Sequence, residues 1–119
     1  MNRGDLLYRW IRLGQSGITL ERLLGDRKLY KIALYGYDQI ADCILYELEK
    51  SSIVIDGIID RKGSQILVEY RAYKPNDIRE LKVDAIIVMP VDDFQSIKLE
   101  LMQYTSTDII SIEEILYEL

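Results

Sequence analysis

Near its start the chain places Leu6, Leu7, Trp10, Ile11 and Leu13 three and four positions apart, with Arg9 and Arg12 elsewhere on the wheel. That spacing predicts an amphipathic helix over 5–14. Gly14 and the Gln15-Ser16-Gly17 that follows are stop signals. Thr19 then restarts a short helix that gathers Leu20, Leu23 and Leu24 before Gly25 ends it. Residues 1–28 are therefore expected to form a helical extension, a hairpin or broken helix, ahead of a domain over 29–119.

The period then changes. Lys31 to Tyr35 is a short apolar run of the kind found in a strand buried on both faces, and after Gly36 the positions Ile40, Ala41, Ile44, Leu45 and Leu48 follow a 3.6-residue period. Ile53 to Ile59 supplies a second buried strand, ended by Asp60-Arg61-Lys62-Gly63, and the connection is long enough for a right-handed parallel crossover. Residues 66–73 alternate Val68, Tyr70 and Ala72 with Glu69 and Arg71, as suits an edge strand. Pro75 opens a helix of one or two turns ending at Leu81. Asp84 to Met89 is a third strong strand, stopped by Pro90. A helix from Asp92 or Asp93 to Tyr104 is expected to bury Phe94, Ile97 and Leu101, with Met102 a further candidate. Asp108 to Ile110 reads as a last short strand, and Ser111 with Glu114 three residues on reads as a capping box opening a terminal helix. This order predicts an α/β fold: a Rossmann-like parallel sheet of about five strands with helices on both faces, preceded by an N-terminal helical segment.

Composition narrows the function. With 119 residues, 49% of them apolar, the chain suits one domain with a core. Its uncharged apolar runs reach only about six residues, too few for a membrane span. The first apolar cluster is interrupted by Arg9 and Arg12, unlike a secretory signal, and a cytosolic setting is expected. There is no histidine and one cysteine, so zinc clusters and Ser-His-Asp or Cys-His catalysis are excluded. A net charge of −5 argues against nucleic-acid binding through a broad basic surface. The charge is unevenly divided. Residues 1–31 hold seven Lys and Arg against three Asp and Glu, a net of +4, and residues 32–119 hold eight against seventeen, a net of −9. Either the head docks on an acidic surface of its own body or of a second copy, or its charges form a solvated helix face.

In open parallel sheets ligands bind beyond the carboxyl ends of the strands, where strand order reverses. Gly36 to Gln39, Asp60 to Lys62, Met89 to Val91 and Ser111 are the corresponding positions. The candidate cofactor-binding residues among them are Gly36, Tyr37, Asp38, Gln39, Asp60, Arg61, Met89 and Pro90. A dinucleotide fingerprint needs three glycines after the first strand, with alanine accepted as the third. Gly36 and Ala41 fill the outer positions, but Asp38 takes the middle one, where its side chain and charge oppose a phosphate. Asp38 is also placed to cap the following helix and so to occupy the same amides. A capped helix with a filled phosphate position and an altered site, in which Asp38 swings aside or contacts a metal or sugar, are both consistent with this pattern. Asp60, 24 residues beyond Gly36, stands about where an acidic residue accepts hydrogen bonds from a ribose diol; the alternative is an ordinary polar turn. Arg61 and Lys62 could instead meet a ribose phosphate.

Other candidates read as structural. Cys43 is expected to be a buried or half-buried packing residue rather than a nucleophile. Asp92 and Asp93 fit helix capping better than magnesium binding. Tyr70 and Lys74 have a reductase-like spacing but fall in a strand and turn instead of a helix, and no catalytic residue or metal ligand is assigned. Trp10 reads as a core or interface anchor.

With Lys31-Ile32-Ala33-Leu34-Tyr35-Gly36 and Gly57-Ile58-Ile59-Asp60 both present, the chain resembles small Rossmann-like nucleotide-binding modules found with bacterial cell-surface polysaccharide enzymes. It is similar in outline to the N-terminal domains of nucleotide-sugar epimerases and dehydrogenases. Trp10, Leu13 and Gly17 approximate a leading W-x-x-L-x-x-x-G helix seen in related appendages. The resemblance implies a site for NAD(P) or a nucleotide-sugar. The substrate domain and Tyr/Lys pair of those enzymes are missing, so catalysis by this chain alone is not expected. Three roles follow: a nucleotide-binding accessory in surface-polysaccharide or nucleotide-sugar metabolism; a degenerate Rossmann fold serving in protein interaction or homo-oligomerisation through residues 1–25, with Leu6, Leu7, Trp10 and Ile11 as the contact; or a subunit whose enzyme partner carries the substrate domain.

Overall fold

The computed structural model describes residues 2–61 and 69–117. Lys62, Gly63, Ile66 and Val68, which the sequence reading used, lie outside them.

Five strands form one parallel sheet: β1 (Lys31–Tyr35), β2 (Val54–Ile59), β3 (Ala72–Tyr73), β4 (Ala85–Val88) and β5 (Asp108–Ser111), in the order β3-β2-β1-β4-β5. The order runs outward from β1 in both directions, so the reversal falls between β1 and β4. The helices are α1 (Arg3–Gln15), α2 (Leu20–Asp26), α3 (Gln39–Leu48), α4 (Phe94–Leu101) and α5 (Ile112–Tyr117), with a 3-10 helix over Pro75–Glu80. Alternate residues of each strand serve opposite faces. Ile32, Leu34, Ala85 and Ile87 join one core with α1, α2, α3 and α5. Ala33, Tyr35, Ile86 and Val88 join a second with Ile78 of the 3-10 helix and Ile97 and Leu101 of α4. This is the Rossmann-like α/β architecture that the pattern predicts.

Several local expectations are corrected. α2 continues past Gly25 to Asp26, and Lys28, at φ 60°, takes the left-handed position after it. That geometry lets the Leu29 amide donate back to the Leu24 carbonyl. β2 is buried only in its second half, and Val54 is exposed. In β2 the register steps from Ile55 to Gly57 while β1 advances by one residue, leaving Asp56 as a bulge. The edge strand is two residues long and has the opposite phase: Tyr73 is buried and Ala72 exposed. The Tyr73 ring lies across Gly57, where a Cβ would stand 2.5 Å from Cε2 and 2.9 Å from the Arg71 carbonyl oxygen. Met102 and Cys43 are exposed; Cys43 points away from the sheet, on the polar side of α3. Asp93 is the first flanking residue of α4 but its side chain makes no capping bond. Ser111 Oγ accepts from the Glu113 amide, and Glu114 turns to Arg27 at 2.7 Å.

The head packs on its own body. Leu6, Leu13, Leu20, Leu23 and Leu24 are buried in the first core. Glu47 of α3 accepts from Trp10 Nε1 at 3.0 Å and from the Leu20 amide at 2.9 Å. Arg9 Nε donates to the Leu116 carbonyl at 3.0 Å and its guanidinium lies over the Tyr117 ring. Of the expected contact surface, Leu6 is inside and Trp10 half-buried, whereas Leu7 and Ile11 face outward beside Tyr8.

Candidate ligand-binding crevice

The carboxyl ends of β1 and β4 part at the order reversal, and the chain leaving each strand shapes what lies between. Gly36 follows β1 at φ +90°, a conformation that favours glycine, and its amide donates to the Ile59 carbonyl. A Cβ there would meet Pro90 Cδ at 3.0 Å and Cγ at 3.3 Å. Gly36 therefore lets the turn after β1 lie directly against the turn after β4. The Met89 amide extends the ladder to the Tyr35 carbonyl, and the Met89 side chain is buried.

Asp38 caps α3. Its Oδ1 accepts from the Ala41 amide at 2.8 Å, and its Oδ2 stands 3.4 Å from a guanidinium nitrogen of Arg3, on the first turn of α1. A carboxylate thus sits where the dinucleotide fold presents free amides to phosphate. The turn does not fit a pyrophosphate held in that manner: the amide is taken, and the carboxylate repels the charge. Tyr37 donates its hydroxyl to Asp42 Oδ1 at 2.9 Å; burial first, then Asp42, push the phenol above its ordinary pKa. Gln39 begins α3 and is exposed.

Two cavities flank the reversal. One of about 300 Å³ is lined by Arg3 and Leu6 of α1, Asp38, Ile40, and the segment Met89 to Asp93. The other, about 400 Å³ on the α4 side, is lined by Tyr35, Arg61, Pro90, Asp93, Ser96 and Ile97. Pro90 and Asp93 border both. Arg61 is held by the Tyr35 hydroxyl, which accepts from Nε at 3.0 Å, and by Glu100 at 3.1 Å. These two partners, Tyr35 foremost, raise the guanidinium pKa further. Asp60 ends β2 half-buried, its amide donating to the Tyr73 carbonyl, and it lines neither cavity.

Of the sequence candidates, Asp38, Met89 and Pro90 thus meet around one cavity and Arg61 and Pro90 around the other. Gly36 sets the spacing between the turns, while Tyr37, Gln39 and Asp60 stand outside both linings. The sequence reading missed Arg3 and Leu6, which roof the first cavity from a helix 35 positions upstream of Asp38. The excess of positive charge in the head is the one signal that pointed there. Among the described residues no group of three carboxylate or thiol side chains is arranged to hold a metal ion.

A parallel five-stranded sheet with its reversal at β1 and β4, helices on both faces and a crevice at the carboxyl edge defines a Rossmann-like domain. The family model described as C2185-like, N-terminal, matches residues 28–115, and the chain belongs to that family. The match begins beyond α2, so α1 and Arg3 lie outside it. Among solved structures, the crystal structure of RSP, a Rex-family repressor, is similar with a TM-score of 0.53 at 16% identity, over 82% of this chain. The chain spans 60% of the length of that repressor chain. No curated protein matches. Among the described residues no helix is long and apolar enough to cross a membrane.

Proposed function

We propose that the domain binds a nucleoside-bearing small molecule (a nucleotide, dinucleotide such as NAD(P), or nucleotide-sugar) in the crevice at the ends of β1 and β4, as a cytosolic accessory to an enzyme on another chain or domain. The observation that carries this reading is the pair of cavities meeting at Pro90 over the reversal of strand order, the position at which open parallel sheets take their ligands. Asp60, just past the end of β2 and outside both linings, is read as the acceptor for a ribose diol that reaches beyond the cavities, and Arg61 is a cation lining the α4-side cavity. The setting in surface-polysaccharide or nucleotide-sugar metabolism rests on the resemblance of Lys31 to Gly36 and Gly57 to Asp60 to such modules.

The test is a thermal-shift panel of purified protein against NAD, NADP, UDP- and GDP-sugars, CMP and ADP, with and without magnesium. Ligand at a hundred times its dissociation constant adds about 2.7 kcal/mol, several degrees for a domain of this size. A shift with one class supports the reading; a flat panel at millimolar ligand overturns it.

A second reading, an interaction module, is favoured by the outward face of α1. Leu7, Tyr8 and Ile11 are exposed there on a helix whose opposite side is buried. A concentration-dependent mass in sedimentation that Ile11→Glu abolishes would support it, and a monomer at every concentration would count against self-association.

A further inference from the structure

β5 ends the sheet and pairs with β4 alone, so alternate residues of β5 direct an amide and a carbonyl to its outer side. Among the described residues no bond from elsewhere in the chain takes these groups up. A trough of about 710 Å³ runs beside that side, with residues 105–110 as its floor. Lys98 and Met102 of α4 form one bank, and Arg27 and Glu114 form the other. α4 also exposes Leu99 next to Met102. An open strand edge between two banks has the shape and the bonding groups to take an extended strand.

We propose that the trough takes β5 of a second copy of this chain, antiparallel to the first, joining two five-stranded sheets into one. The two-fold axis of such a pair stands normal to the sheet, so each face of one copy continues into the same face of the other. Asp108 lies at the amino end of β5. Its register partner is Ala85, so it points to the face of the first core, where Arg27 and Glu114 also lie. Asp108 is exposed and has no ion-pair partner in its own chain among the described residues. Antiparallel pairing carries it to the opposite end of the other β5, beside the partner's Arg27. That guanidinium holds Glu114 at 2.7 Å and remains 25% exposed, so it can take a second carboxylate. The axis makes the contact twice. On the other face the two α4 helices come side by side, and Leu99 and Met102 supply the apolar surface between them. A carboxylate at one end of the strand and a guanidinium at the other complement their own reverse, which is why the occupant is a second copy. This surface is separate from the outward face of α1.

The experiment combines sedimentation equilibrium, from micromolar to millimolar chain, with double electron–electron resonance between spin labels on single introduced cysteines. Cys43→Ser is the background, because Cys43 is exposed. A mass of two chains is expected at the upper concentrations. Labels at Leu99→Cys then lie within about 30 Å of each other, the spacing of packed helices plus the label arms. Labels at Val54→Cys, separated by seven strand spacings, lie beyond about 34 Å. Asp108→Arg sets like charges opposite each other and is expected to raise the dimer dissociation constant at least about tenfold. Met102→Lys acts in the same direction, Tyr8→Lys leaves the constant unchanged, and an unaltered urea midpoint in dilute solution shows that each variant folds. A monomer at every concentration overturns the proposal and leaves the trough to a strand of another protein. A dimer whose short distance falls between labels at Tyr8→Cys instead of Leu99→Cys overturns it in favour of the α1 face. A dimer indifferent to Asp108→Arg overturns it as well.

Discussion

Gly57 has no room for a side chain, because the Tyr73 ring and the Arg71 carbonyl crowd the position a Cβ would take. Gly57→Ala must push β3 away from β2 or distort the bulge at Asp56. A loss of about 1–3 kcal/mol is expected, read as a lowered urea midpoint. Asp84 makes a different kind of contribution. One of its oxygens accepts from both the Tyr30 and Lys31 amides at the start of β1, and these bonds hold its carboxyl below the usual aspartate range. Glu21 is lowered likewise by the Ser52 hydroxyl and amide. Each is a group whose folded pKa lies below its unfolded one, so its contribution is present above the ordinary carboxylate pKa of about 4 and disappears as pH falls through the folded value. Stability is therefore expected to fall on acidification below about pH 5, and the double variant Asp84→Asn, Glu21→Gln to show a shallower fall in denaturation melts from pH 6 to 3. At this scale the sequence was partly legible. Asp38 reads as a cap because an aspartate two residues after a strand-ending glycine suits the first amides of a helix, and it is one. Cys43 did not read correctly: on α3 it follows the buried Ala41 by two positions, a helical half-turn, and so faces outward. Arg3 was invisible as a partner of Asp38 because local pattern carries no information about contacts 35 residues apart.

Among the elements, α1 illustrates how amphipathicity sets a helix's existence but not its partner. Its stripe is legible in Leu6, Trp10 and Leu13. That the stripe closes the first core, instead of waiting for a second chain, depends on Glu47 and Leu116 lying opposite it. Leu6, 2% exposed, is both a core residue and the roof of the crevice. Leu6→Ala is expected to cost about 2–5 kcal/mol in urea denaturation, far more than Leu7→Ala, whose side chain faces outward. The central strands were legible because β1 and β4 are buried on both faces and read as unbroken apolar runs. β3 was not legible in phase, since its pairing covers only Ala72 and Tyr73 and the inward residue is selected by the gap over Gly57. Asp93 departs from capping for a local reason: at φ −103° and ψ 12° its backbone is not in the extended conformation a capping residue takes, and it borders both cavities.

For the whole molecule, the parallel direction of the strands follows from alternating strands and helices, whereas the order β3-β2-β1-β4-β5, and with it the reversal that locates the crevice, is given by the fold and not by the alternation. What the sequence could not specify is the composition of its walls, which combine α1, the β1–α3 turn and the segment after β4. The shared core of α1, α2, α3 and α5 also bears on how the chain unfolds. We propose that residues 1–28 do not melt as a separate unit. Trp10, the only tryptophan, reports on the head, and far-ultraviolet circular dichroism reports on the helices of both head and body. Both signals are expected to change at one urea midpoint; an earlier tryptophan transition would define an independent head.

The bond from Arg9 to the Leu116 carbonyl joins residues 107 positions apart. An early helix is thus completed by one that lies 107 positions later. While the chain is being synthesised, the apolar stripe of α1 has no α5 to close on until residues 112–117 have emerged. Until then the head can pack only on β1, α3 and the strands already made, and its cover is incomplete. Such long-range closure slows folding relative to chains built from neighbouring contacts, and it makes the docking of α5 the step at which the crevice acquires its settled roof.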